Sequence, residues 1–232
     1  MLHGPRQSGK STLARQIASE ANFGYVTLDD DEQLQSALSD PRVFLAEHGT
    51  PLVIDEVQRC GDALILAIKS VVDKSNARGQ YLLTGSTNFL TVPTISESLA
   101  GRVDIVELLP LAVGEVRNGR CDFVQRAFSD QAKLLGRRGL AVERAEYFDM
   151  IVTGGFPEAQ GMGELSRSRW LNNYLTTVIR REIETSADIL KVDALVDVAR
   201  FLAANTSEEL NISRVAEQVG IDRRTVDSFV AW

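Results

Sequence analysis

The residues best equipped for chemistry come near the start of the chain, at Gly4-Pro5-Arg6-Gln7-Ser8-Gly9-Lys10-Ser11-Thr12. The run fits G-x-x-x-x-G-K-[ST] without a gap, and each fixed position has a physical task. Gly4 and Gly9 permit backbone torsions that a Cβ obstructs, so successive N–H groups curl around a phosphate. Lys10 carries an ammonium toward β- and γ-phosphate oxygens, and the Ser11 hydroxyl completes the shell of a Mg²⁺ ion. A second stretch, Pro51-Leu52-Val53-Ile54-Asp55-Glu56, is an apolar run ending in two carboxylates. Such a run describes a buried parallel strand delivering acids to the carboxyl edge of a sheet. Asp55 is expected to support the metal. Glu56 is expected to polarise the attacking water as a general base, worth about 10²–10⁴ in rate. The two stretches together predict a nucleotide-phosphate site with Mg²⁺.

These residues need elements to hold them. Leu13, Ala14, Ile17 and Ala18 have helical spacing, so the loop feeds a helix whose N-terminal dipole also attracts anions. Gly24 to Leu28 reads as a short strand, followed by the acidic turn Asp29-Asp30-Asp31, which is either a solvated loop or a polar contact near the nucleotide. From Glu32 to Glu47 the pattern is helical with a break at Asp40-Pro41. A further helix carries Leu64, Ile65, Ile68, Val71 and Val72 on one face, with Gly79 at its end. Gln80 to Ser86 is then another buried strand ending in small polar residues. Ser86 and Asn88 would stand beside the two carboxylates and hydrogen-bond the γ-phosphate or the water; a plain turn after a strand is the competing reading. Three strands feeding one edge, with helices between them, define a doubly wound α/β core: a parallel sheet flanked by helices.

Composition agrees with a folded α/β chain. Apolar content of 44% and charged content of 25% over 232 residues are globular values. Cys60 and Cys121 lack paired-ligand spacing and the two histidines lie far apart in sequence, so neither a zinc site nor a disulfide framework is expected, which suits a reducing cytoplasm. No apolar run reaches membrane-spanning length. A formal charge of −7 argues against a chain-wide coating of nucleic acid but leaves room for a local basic face. Only Met1, Leu2 and His3 precede Gly4, where a strand of about five or six residues is expected, so the natural domain is expected to begin earlier.

Taken together, the motifs resemble the AAA+ type P-loop ATPases, and within them the bacterial and archaeal "AAA domain plus DUF4143" proteins. The resemblance rests on residues 4–12, on Ile-Asp-Glu-Val-Gln-Arg at 54–59 and on Leu-Thr-Gly-Ser at 83–86, which matches the sensor-1 strand. Glu-Ser-Leu-Ala-Gly-Arg at 97–102, Leu-Leu-Pro-Leu at 108–111 and Gly-Gly-Phe-Pro-Glu at 154–158 carry it further along the chain. It implies a P-loop core over 1–125, a helical lid over 126–200 and a partial winged helix over 201–232 that opens the DUF4143 region. It makes Ser86 a sensor of the γ-phosphate. It also puts Arg102 in a loop after that strand, near the nucleotide or a neighbouring subunit, where an arginine contributes about 10³–10⁵ in rate. The alternative for Arg102 is an anchor tying Ala100-Gly101 to a neighbouring helix.

The region 114–144 is polar and includes Arg137-Arg138, and Thr153-Gly154-Gly155-Phe156-Pro157 is a glycine turn closed by proline. That turn either approaches the nucleotide or simply stops a helix. Ser166 to Ile183 is strongly helical, with Trp170, Tyr174, Leu175, Val178 and Ile179 on one side. Near the end, a helix capped at Asn211 or Ser213, a turn at Gly220-Ile221-Asp222 and a second helix opening with Arg223-Arg224-Thr225 have helix-turn-helix spacing. In DNA readers those last three residues would touch the major groove first. Glu208, Glu209, Glu217, Asp222 and Asp227 surround the arginines, so packing or protein contact competes with DNA. The expectation is therefore a Mg-dependent ATP hydrolase that couples nucleotide state to movement of the helical regions, free of the membrane and with oligomers open to it. The alternative is a nucleotide-gated DNA- or protein-binding module with negligible hydrolysis.

Overall fold

The computed structural model describes residues 1–75, 77–85, 101–119, 123–129, 142–184 and 192–230. The first elements are β1 (Leu2–His3), α1 (Lys10–Ala21), β2 (Gly24–Thr27), α2 (Asp31–Ser39), α3 (Pro41–His48), β3 (Leu52–Asp55), α4 (Asp62–Val72), β4 (Tyr81–Gly85) and β5 (Val106–Glu107). Every strand pair is parallel, in the order β2-β3-β4-β1-β5. Parallel neighbours need a crossover, and α1 to α4 supply those from β1 through β4. The chain is an α/β P-loop fold, as the sequence predicts, with a helical carboxyl-terminal part.

Strand alternation sorts the core into two layers. Val26, Ile54 and Leu83 stand in register on one face and pack with Leu28, Phe44, Leu45, Leu64 and Ile65. Tyr25, Val53 and Leu82 stand in register on the other, against Ala14 and Ala18 of α1. Alanines one turn apart let α1 lie close on the sheet, which brings its first turn to the strand ends. Each fully buried Leu, Ile or Phe here contributes about 1.5–3 kcal/mol. The expected break at Asp40-Pro41 is a joint between two helices. Asp40 Oδ1 accepts the amides of Arg42 and Val43 at 2.9 and 3.1 Å, and Pro41 takes the first helical position.

The chain divides into two compact units, Met1–Gly161 and Met162–Trp232. The first also holds α5 (Val113–Val116), α6 (Phe123–Ser129), α7 (Arg144–Thr153) and a 3₁₀ turn, Pro157–Gly161. The second comprises α8 (Glu164–Glu184), α9 (Val192–Ala204), α10 (Ile212–Val219) and α11 (Arg223–Val230). Its core joins Val198 to Val215, Ala216 and Val226. Of the two expected caps, Asn211 caps α10, accepting the Arg214 amide at 3.0 Å, and Gly220 ends that helix at φ 76°. Among the described residues no helix is long and apolar enough to cross a membrane.

Candidate functional site

The phosphate-loop motif runs from the end of β1 into α1. Gly4 has φ 151°, and a Cβ there would lie 2.2 Å from the Leu108 carbonyl oxygen, so the backbone of the segment after β5 closes against it. Gln7 (φ 60°) and Gly9 (φ 99°) supply the left-handed torsions that bend the loop. Lys10 opens α1 and is buried, with its ammonium donating to the carbonyls of Gly4 at 3.0 Å and Pro5 at 2.7 Å. Burial pushes the Lys10 ammonium below its ordinary pKa, while the carboxylates of Glu56 and Asp55 oppose that shift and Arg6 adds to it. Ser8 is buried too, and its hydroxyl has no hydrogen-bond partner. Pro5 and Arg6 are half-buried, whereas Gln7 and Thr12 are exposed.

Asp55 ends β3 at 2% exposure and is the hub of the site. Its Oδ1 accepts from Ser11 Oγ at 3.1 Å and from the Thr84 hydroxyl, and its Oδ2 accepts from the Tyr25 hydroxyl at 2.8 Å. Arg15 Nε donates to the Tyr25 oxygen at 3.1 Å. Burial first, then the bond to Asp55, pushes the Tyr25 phenol up to about 12. Glu56 follows in a left-handed conformation at φ 58°, which costs a non-glycine residue about 1–2 kcal/mol. Its amide donates to Thr84 Oγ1 at 3.1 Å, and its carboxylate accepts from the Gln58 side-chain amide. Strain of this kind concentrates at functional positions.

The structure brings Lys10, Ser11, Asp55 and Glu56 together. It does not bring Arg102 to them. Arg102 precedes β5 at the amino edge of the sheet, where Nε donates to Asp73 at 2.5 Å, while the loop lies at the carboxyl edge. A parallel strand has two distinct ends, separated here by the length of β4. Ser86, Asn88, Cys121 and Arg137-Arg138 lie outside the described residues. The acidic turn is structural: Asp29 pairs with Arg59 at 2.9 Å and Asp30 caps α2. The glycine turn stops a helix, one of the two expected alternatives. Gly154 ends α7, and the turn packs on the loop's surroundings, with the Leu111 amide donating to Gly155 O at 2.7 Å and Pro157 Cγ 3.8 Å from a Cβ built on Gly9. In the second unit Arg223 and Arg224 are exposed, but Thr225 is not available to a groove: at 7% exposure, its hydroxyl donates to Asp222 at 2.5 Å.

Tyr25, Arg15 and Thr84 are the residues that sequence reasoning passed over. Their one signal is positional, since Arg15 lies one helical turn after Ser11 and Thr84 stands two residues before Ser86.

The fold and this cluster define a P-loop nucleotide-binding domain. The AAA domain family matches residues 1–117, just over half of the 232 residues, and the chain belongs to that family. Residues 144–232 match a domain of unknown function, DUF8612, where the motifs resembled a DUF4143 protein. Uncharacterized proteins of Mycobacterium bovis and Mycobacterium tuberculosis are each 30% identical over 184 residues, covering 79% of this chain. The chain spans only 35% of their length. Among solved structures, the Aeropyrum pernix ORC1 protein in complex with DNA aligns over 99% of this chain and 75% of its own, at a TM-score of 0.36 and 14% identity.

Proposed function

We propose that the chain is a Mg²⁺-dependent ATP hydrolase whose nucleotide state is read out by its helical regions. The observation that carries this reading is the Ser11–Asp55 contact at 3.1 Å beside a buried lysine. The cluster fits ATP and Mg²⁺ on its own chemistry. A buried hydroxyl without a partner at Ser8, a cradle closed to any Cβ at Gly4 and an ammonium resting on neutral carbonyls suit a phosphate. A hydroxyl paired with a carboxylate is a hard-oxygen donor set of the kind Mg²⁺ takes. When bound, Mg²⁺ would neutralise charge developing on the phosphate oxygens.

The roles follow from placement. Residues 4–12 hold the phosphates, Lys10 moves from the loop carbonyls to the phosphate oxygens, and Ser11 with Asp55 holds the metal. Glu56 takes the proton of the attacking water. Ser86 acts as the γ-phosphate sensor by resemblance alone. A catalytic role for Arg102, which lies at the opposite edge of the sheet, would be played on a neighbouring subunit. We divide the chain, on the same reading, into a core over 1–125, a lid over 126–200 and a winged-helix segment over 201–232. Glu56→Gln tests the reaction: phosphate release should fall by about 10²–10⁴ while ATP binding persists. Unchanged release would remove Glu56 from the chemistry.

One observation favours a second reading, a nucleotide-gated binding module with negligible hydrolysis. One oxygen of the Glu56 carboxylate is engaged by Gln58. The exposed Arg223 and Arg224 give such a module a contact for DNA phosphates. If they serve it, affinity for duplex DNA falls steeply with added salt, and Arg224→Ala flattens that slope by about one. Binding insensitive to salt would leave α11 to protein packing.

A further inference from the structure

We propose that Tyr25 and Arg15 form a clamp on Asp55, holding its carboxylate in the one orientation that a divalent cation at Ser11 requires. The inference deepens the reading above and rests on Asp55 as the metal-supporting acid.

The geometry is a closed ring of contacts between one helix and two strands. Ser11 and Arg15 are four residues apart and so lie on one face of α1. Ser11 reaches Asp55 Oδ1 directly, and Arg15 reaches Oδ2 through the Tyr25 hydroxyl. Thr27 is the residue opposite Asp55 in the β2–β3 ladder, and Tyr25 lies two residues before it, on the same face. That diagonal distance suits an aromatic side chain and is too long for a short polar one.

Proton inventory then decides direction. A phenol has a single O–H, and Arg15 Nε occupies the oxygen as a donor, so the tyrosine proton goes to Asp55. Thr84 is set the same way: its oxygen accepts the Glu56 amide, so its proton goes to Oδ1. The Tyr25 and Thr84 hydroxyls are therefore both committed donors to the carboxylate. The final torsion of an aspartate is soft, with broad wells. The Tyr25 bond fixes which oxygen faces Ser11. The Arg15 guanidinium also lies 5.3 Å from the Tyr25 ring centroid, which restrains the ring itself.

The test uses the whole chain and a fluorescent ADP analogue, measured in EDTA and across a Mg²⁺ titration. Wild type should gain affinity as Mg²⁺ is added. Tyr25→Phe keeps the ring and should bind the analogue in EDTA as wild type does, yet need about tenfold more Mg²⁺ for half the gain. Arg15→Gln, at an exposed position, should shift the midpoint in the same direction by a smaller factor, and it decides the matter if Tyr25→Phe does not fold. Midpoints equal to wild type in the folded variants overturn the clamp. So does an equal loss of affinity with and without Mg²⁺, since the residues would then serve packing alone. A wild type that binds the analogue but ignores Mg²⁺ overturns the metal reading and the clamp together. A wild-type response with unshifted variants overturns the clamp only.

Discussion

The two ends of the parallel sheet are built from the same strands and could hardly differ more. At the carboxyl end Ser8, Lys10, Asp55 and Thr84 are all buried polar residues, with Lys10 and Thr84 gathered around Asp55 by electrostatic reach or hydrogen bonding. At the amino end a cavity of about 570 Å³ is lined by Met1, Lys69, Tyr81, Arg102 and Asp104 among others, and the Arg102–Asp73 pair there stays about two-fifths exposed. Withdrawing polar groups from water is costly unless each finds a partner. The carboxyl end offsets that cost with hydrogen bonds at Lys10, Asp55 and Thr84 and leaves it standing at the Ser8 hydroxyl. An exposed ion pair, by contrast, contributes about 0–1 kcal/mol. Burial with mutual orientation, rather than charge alone, distinguishes a place prepared for chemistry from an ordinary polar surface.

This contrast can be broken most directly at Lys10. With ATP and Mg²⁺ at about a hundred times the dissociation constant, wild type should gain roughly 2.7 kcal/mol of stability, seen as a rise in melting temperature. Lys10→Ala should lose that rise, and a rise that survives would move the nucleotide elsewhere. Gly4→Ala sharpens the comparison from the packing side. Its added methyl meets the Leu108 backbone, which has no rotamer to yield, so denaturant titration should show a loss of about 1–3 kcal/mol. The smallest effect belongs to the opposite end. Arg102→Ala should change stability by less than about 1 kcal/mol and leave the ATP-induced rise intact. A variant that loses the rise would tie the amino edge to the site and undo the distinction.

Much of this was legible in the sequence, for a reason that varies with position. The loop at 4–12 and the strand ending in Asp55-Glu56 are local signals, each written in consecutive residues, and both appear where expected. The break at Asp40-Pro41 was visible as a break, but its nature as a shared cap between α2 and α3 needed the backbone. β1 and β5 contribute two residues each, too few for an alternation pattern to emerge. Arg102 was placed near the nucleotide or a neighbouring subunit by resemblance. The structure sets it at the far edge because the strand β5 that follows it begins there, and strand direction is a property of the sheet. Thr225 reads as a surface residue at the head of a helix, yet it is drawn inward by the Asp222 cap.

By itself the sequence determined the class of domain, the phosphate loop, the paired acids and the helical character of the later chain. These follow from residue type and short spacing, which act through local backbone torsion and one-dimensional periodicity. Only the tertiary structure decided which hydroxyls hold Asp55, which way their protons point, and which charged residues stand at the other end of the sheet. Tyr25 and Asp55 are thirty residues apart, and nothing in either one's neighbours announces the other. Their meeting depends on strand register and on α1 lying against both strands, and a register exists only once separate segments have paired.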